Sequence, residues 1–167
     1  MSQSVVLAWL DRLDPGTHRR IKGLRLVTAF GLASMLGRMP EIVAGLTHGA
    51  ALSSLAGWFA LWASVSEARL TRLDSTRDLI LLCAAAALGS ASYIVLAPML
   101  QSVGPAGSEL ALISGAFLVG YLKRFGLTGA GIGSQLFIGQ LLAYGSALTA
   151  ADLPAIAVAA LLAAVAS

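Results

Sequence analysis

The sequence predicts an all-α fold: a polytopic membrane helix bundle of about six transmembrane helices, with the N-terminus on the cytoplasmic side. Three observations carry this. Apolar residues cluster in six stretches, 26–37, 42–66, 79–103, 110–122, 125–151 and 153–167. Hydrophobic residues make up 57% of the chain and charged residues only 11%, with a mean hydropathy of +0.84. A soluble domain carries about 25% charged residues, so little polar surface is left here to face water. Third, ten of the eleven Lys and Arg fall in alternate gaps between the stretches, and the opposite gaps hold only Arg38. The positive-inside rule makes the ten-residue side cytoplasmic.

A membrane helix needs ~20 mostly apolar residues to cross a hydrocarbon core of ~30 Å. The second, third and fifth stretches meet that length. The first and fourth are short and must borrow flanking residues, and the sixth ends at Ser167. Two regions follow: a cytoplasmic interfacial segment and basic turn over 1–22, and a transmembrane block over 23–167 whose last span reads as truncated.

Val5, Val6, Trp9, Leu10 and Leu13 recur at helical spacing. They suit either a helix lying on the inner membrane surface or a frayed terminus. Asp14-Pro15 is an N-cap followed by proline at the first helical position. Arg19, Arg20 and Lys22 then meet headgroups. The chain's net charge of +3 reads as anchoring to anionic lipid rather than to nucleic acid, because the basic residues are spread over several loops. Residues 37–41 make a tight outer turn, so spans one and two form an antiparallel hairpin. Trp58 and Trp62 sit in the inner half of span two, where an aromatic belt is expected. Residues 67–78 alternate in sign and read as a solvated connection with weak local ion pairs. Residues 102–107 are rich in turn formers, 122–126 form a short inner loop, and Asp152-Leu153-Pro154 opens the last span.

Several functions lack their motifs. There is no phosphate-binding Gly-x-x-x-x-Gly-Lys-Ser/Thr loop, no His-Glu-x-x-His and no Gly-x-Ser-x-Gly. The run from Gly129 to Gly133 resembles half a dinucleotide fingerprint but follows no strand. No metal spacing links His18 and His48. Cys83 is alone and reads as a small core residue. No enzyme, cofactor or metal site is expected.

Polar side chains in a bilayer are expensive and are functional candidates for that reason. Arg25 either neutralises an organic anion entering from the cytoplasm or snorkels to the interface. His48 either exchanges protons or packs beside Gly45 and Gly49. In span five, Gly133, Phe137, Gln140 and Tyr144 share one helix face. That face suits the path of a planar aromatic solute, or a helix seam joined by Gln140. Gln135 lies on another face. Gly45 with Gly49, and Gly129 with Gly133, are spaced for close helix packing.

Leu13-Asp14-Pro15-Gly16 with its basic turn, Lys123-Arg124-Phe125-Gly126, the glycines from Gly129 to Gly133, and Phe137-Ile138-Gly139 together resemble the fusaric acid resistance protein family. That family contains bacterial inner-membrane exporters of aromatic carboxylic acids. The likeness covers most of the chain in span layout. It implies proton-driven efflux of aromatic or related organic acids from the bacterial cell, by a six-span block followed by a cytoplasmic domain. No such domain is found in these 167 residues, so a longer chain or a partner is expected to supply it. A six-helix block is a thin wall for a pathway, and a homodimer or larger assembly is expected. The alternative is a membrane scaffold subunit with no pathway of its own.

Overall fold

In the computed structural model, residues 18–44, 46, 49–66, 72–102, 104 and 106–167 are described, and no strand occurs among them. The long helices are α1 (His18–Leu36), α3 (Gly49–Ser66), α4 (Arg72–Gln101), α5 (Gly107–Leu122), α6 (Gly126–Gly145) and α7 (Leu153–Ala166), with a single turn, α2 (Pro40–Val43), after α1. Short 3-10 turns at Lys123–Phe125 and Ala150–Asp152 precede α6 and α7.

The helices agree with the apolar stretches in number but differ at their ends. The stretch 42–66 is not one helix. The Ala44 N–H closes α2 on the Pro40 carbonyl, and Ala44 then leaves helical space at φ −58°, ψ 117°. Helix resumes at Gly49, in a segment whose two glycines cost helix about 1 kcal/mol each. The connection read over 67–78 is helical from Arg72 onward, so Asp74 and Asp78 both fall inside α4. The stretch 125–151 stops being helical at Gly145. Ala147 takes φ 50°, and a Thr149–Asp152 capping box ends the turn. The Thr149 backbone N–H and hydroxyl both donate to Asp152 Oδ2, at 2.8 and 3.0 Å. A buried carboxylate satisfied in this way starts the next helix where it stands.

Among the described residues, two helical stretches are long and apolar enough to cross a membrane, Ser75–Gln101 and Gly107–Gly145. The second turns back at Gly126, whose φ of 79° favours glycine. It is therefore an antiparallel pair, α5 and α6: Gly133 packs on the backbone of Leu118 and Val119, and Gly129 on Leu122 and Phe125. Alpha-helices α1 and α3 also pair antiparallel, with Gly37 against the Ser53 backbone and Gly57 against Phe30 and Ser34.

Successive long helices reverse, so α1, α4 and α6 run one way. Helices α4 and α6 are thus parallel and very close. A methyl group on Gly89 would meet the Leu136 backbone, and one on Gly139 the Ala86 backbone. Ser90 bridges the same contact by donating to the Gly139 carbonyl at 2.9 Å. Lys22, Arg25, Arg77, Lys123 and Arg124 consequently lie at one end, and Arg38, Glu41 and Glu109 at the other.

The core is built of small residues. Of the 23 buried hydrophobic residues among those described, 13 are alanine. Large side chains such as Leu24, Leu88, Ile113, Phe117, Leu127 and Leu161 point outward on every long helix except α3, where Trp58 and Val65 do so. Soluble proteins place Leu, Ile and Phe inside and rarely expose large contiguous apolar surface.

Candidate functional site

Helix α6 carries two buried amides one and a half turns apart. Gln135 is 0% exposed and Gln140 is 2% exposed. Gln140 meets α4 and α5 at once: its Nε2 donates to Ser92 Oγ at 3.1 Å and to Ser114 Oγ at 3.3 Å. Ser92 donates onward to the Gly89 carbonyl and Ser114 to the Ala111 carbonyl, each at 2.7 Å. With their protons spent on their own helices, both hydroxyls can only accept, which fixes the amide nitrogen on their side. Gln140 Oε1 lies over Gly115 and has no hydrogen-bond partner. Gln135 repeats the pattern against α3. Its Nε2 donates to Ser66 Oγ at 3.0 Å while its Oε1 is unpartnered. Ser64 Oγ, on the same helix as Ser66, is a third buried orphan.

Cavities flank these amides. Towards the basic end, one turn from Gln135, a cavity of about 290 Å³ is lined by Ser66, Asp78, Leu82, Thr128, Gly131 and Ile132, among others. Towards the other end, one turn from Gln140, a cavity of about 480 Å³ is lined by Tyr93, Gln101, Ser108, Tyr144 and Thr149, with apolar neighbours. The Tyr93 and Tyr144 rings meet edge to face at 5.9 Å. Between the cavities lies the tight Gly89–Ser90–Gly139 contact of α4 and α6. The arrangement is two polar-lined cavities along one helix pair, separated by a small-residue closure with an unpaired carbonyl oxygen near each side. Buried acceptors left without a donor are costly, and each marks a place where the packing is not optimised for stability alone.

The structure brings Phe137 and Gln140 together against Gly115 of α5, while Tyr144 lines the cavity that holds Tyr93. Gly133 supports the same helix pair. Arg25 is elsewhere: it is exposed, and its Nη2 donates to the Ser167 carbonyl at 3.2 Å and to Ser75 Oγ at 3.5 Å, tying the basic ends of α1, α4 and α7. Gly45 and His48 lie outside the described residues, and Gly49 begins α3. No group of three His, Cys, Asp or Glu residues able to hold a metal occurs among the described residues.

Residue spacing alone did not reveal Tyr93, Ser92, Ser114, Ser66, Asp78 or Thr128. Each gains its meaning from a helix other than its own. The chain matches no family model, no curated protein and no solved structure.

Proposed function

We propose that this chain is a multi-pass membrane helix bundle of the bacterial inner membrane, crossing six times with its basic turns in the cytoplasm, and that it forms the membrane block of an efflux carrier for small organic acids. The observation that carries the membrane part is the size distribution of side chains: alanine makes up 13 of the 23 buried hydrophobic residues among those described, while large aliphatic and aromatic residues are exposed along every long helix. In lipid there is no hydrophobic force between helices, so small residues that let backbones approach hold them together. Asymmetric basic ends support the orientation.

The transport part is supported by the α4–α6 seam. Discontinuous cavities at its two ends, with a thin closure of small residues between them, are what a pathway open to one side at a time requires. The substrate class, aromatic or related organic acids moved outward by the proton gradient, rests on the family likeness described above. In this reading Tyr93 and Tyr144 present aromatic edges to a planar ring, and the orphan carbonyl oxygens would accept hydrogen bonds from a solute hydroxyl, a protonated acid or water if the seam opens. A non-transporting scaffold is the second reading, favoured by the deep burial of Gln140 in a three-helix junction.

Expression in a bacterium sensitised to an aromatic acid separates them. The carrier lowers accumulated acid, and Tyr144→Cys makes that efflux sensitive to a membrane-impermeant thiol reagent added outside, in a background where Cys83 is Ala. Gln140→Leu removes two hydrogen bonds worth about 1 kcal/mol together in a membrane, so it leaves the protein folded while efflux falls to background. Unchanged accumulation with the parent chain, at verified expression, removes the carrier reading and leaves the scaffold.

A further inference from the structure

A second site lies away from the α4–α6 seam, on the outer flank of α1 and α3. There a groove of about 590 Å³ is lined by Phe30, Ser34, Arg38, Val43, Ser53 and Trp58, with their neighbours. Arg38 stands at its mouth, at the end of the bundle opposite the basic turns. Its Nε donates to Ser53 Oγ at 3.2 Å, and Ser53 Oγ donates to the Ser34 carbonyl at 2.8 Å. One edge of the guanidinium is therefore anchored to the helix pair. Among the described residues its Nη groups have no partner, and Glu41, three residues on, makes no ion pair with it. The floor is aromatic: Phe30 and Trp58 meet edge to face at 5.9 Å. Phe30 is eight residues from Arg38, about 12 Å along the helix, and Trp58 is 41% exposed.

We propose that this groove seats an anionic phospholipid, with the phosphodiester on the free edge of Arg38 and an acyl chain lying over Phe30 and Trp58. The proposal rests on the membrane reading and is independent of transport. A pre-oriented arginine fork binds phosphate oxygens in pairs. The charge selects an anionic lipid, and the apolar floor begins where headgroup gives way to hydrocarbon.

The test uses the full chain in nanodiscs with Trp58 as its only tryptophan (Trp9→Phe, Trp62→Phe). Brominated phosphatidylglycerol or brominated phosphatidylcholine is supplied at equal mole fraction as quencher. The expected result is about five-fold preferential occupancy by phosphatidylglycerol, falling to no preference in Arg38→Gln. Native mass spectrometry of the unsubstituted chain from mixed-lipid nanodiscs should show retained phosphatidylglycerol, lost in the same variant. Equal quenching by the two lipids overturns the proposal. Quenching by neither also overturns it, since a second copy of the chain or water then fills the groove. Protection of Trp58 by benzoate without a lipid preference assigns the groove to a soluble anion and overturns it too. A control chain with Phe117→Trp as its only tryptophan keeps the failures apart: quenching there by both lipids shows the bundle in the bilayer even if the groove holds no lipid, and its absence sinks the membrane reading as well.

Discussion

Leu88→Arg is expected to remove most of the inserted, folded protein. Leu88 is 64% exposed, midway along α4. On the surface of a soluble protein, replacing so exposed a leucine by arginine changes stability by no more than about 0.5 kcal/mol. At the centre of a membrane helix the same change costs roughly 2.5–3.5 kcal/mol in insertion free energy, about a hundredfold in the equilibrium. The size of the effect is thus set by the solvent around the helix and not by any contact in the bundle. The control is Leu24→Arg. Leu24 is equally exposed but lies beside Arg25 at the basic end, where a long cationic side chain reaches the headgroups. Alkali-resistant membrane fractions quantify both, with Leu24→Arg near the parent level and Leu88→Arg strongly depleted.

The second large effect is at the α4–α6 contact. Gly139→Ala places a methyl group against the Ala86 carbonyl, and the two backbones cannot both stay. The expected loss is at the upper end of the ~1–3 kcal/mol seen for overpacking, because the obstacle is main chain rather than a side chain that can rotate. Gly120→Ala is the opposite case. Nothing lies near a Cβ at Gly120, on the exposed side of α5, and the gain in helix propensity stabilises by roughly 0.5–1 kcal/mol. Thermal unfolding in detergent should move the two variants in opposite directions. Equal shifts would mean that α4 and α6 are not in backbone contact.

Hydropathy and charge made the helix count and the alternating ends readable in advance, because both follow from residue type summed over twenty positions. Helix ends were less legible. Asp152-Leu153-Pro154 marked the start of the last helix, but the end of the preceding one at Gly145 is not visible in an apolar profile that runs on to Ala151. Ala44 is a good helix former, so the break before Gly49 carries no local signal beyond its glycines. At the site, helical spacing placed Gly133, Phe137, Gln140 and Tyr144 on one face and Gln135 on another; in the structure the first three meet α5, Tyr144 meets Tyr93 of α4, and Gln135 meets α3. Which helices cover those faces was not readable. Ser92 and Ser114 join Gln140 from sequence distances of 48 and 26 residues, and the parallel pairing of α4 with α6 skips a helix in the chain order. Tyr93 became Tyr144's neighbour only through that pairing.

The central claim is that the large side chains on the outside of this bundle touch lipid. It is tested most directly by spin labels on single cysteines at positions 88, 113 and 161, in a chain with Cys83→Ala reconstituted into bilayers. Collision with oxygen, which concentrates in hydrocarbon, should be frequent at all three positions, and collision with a water-soluble nickel chelate rare. Frequent collision with the chelate at all three would place these faces in water and contradict the account.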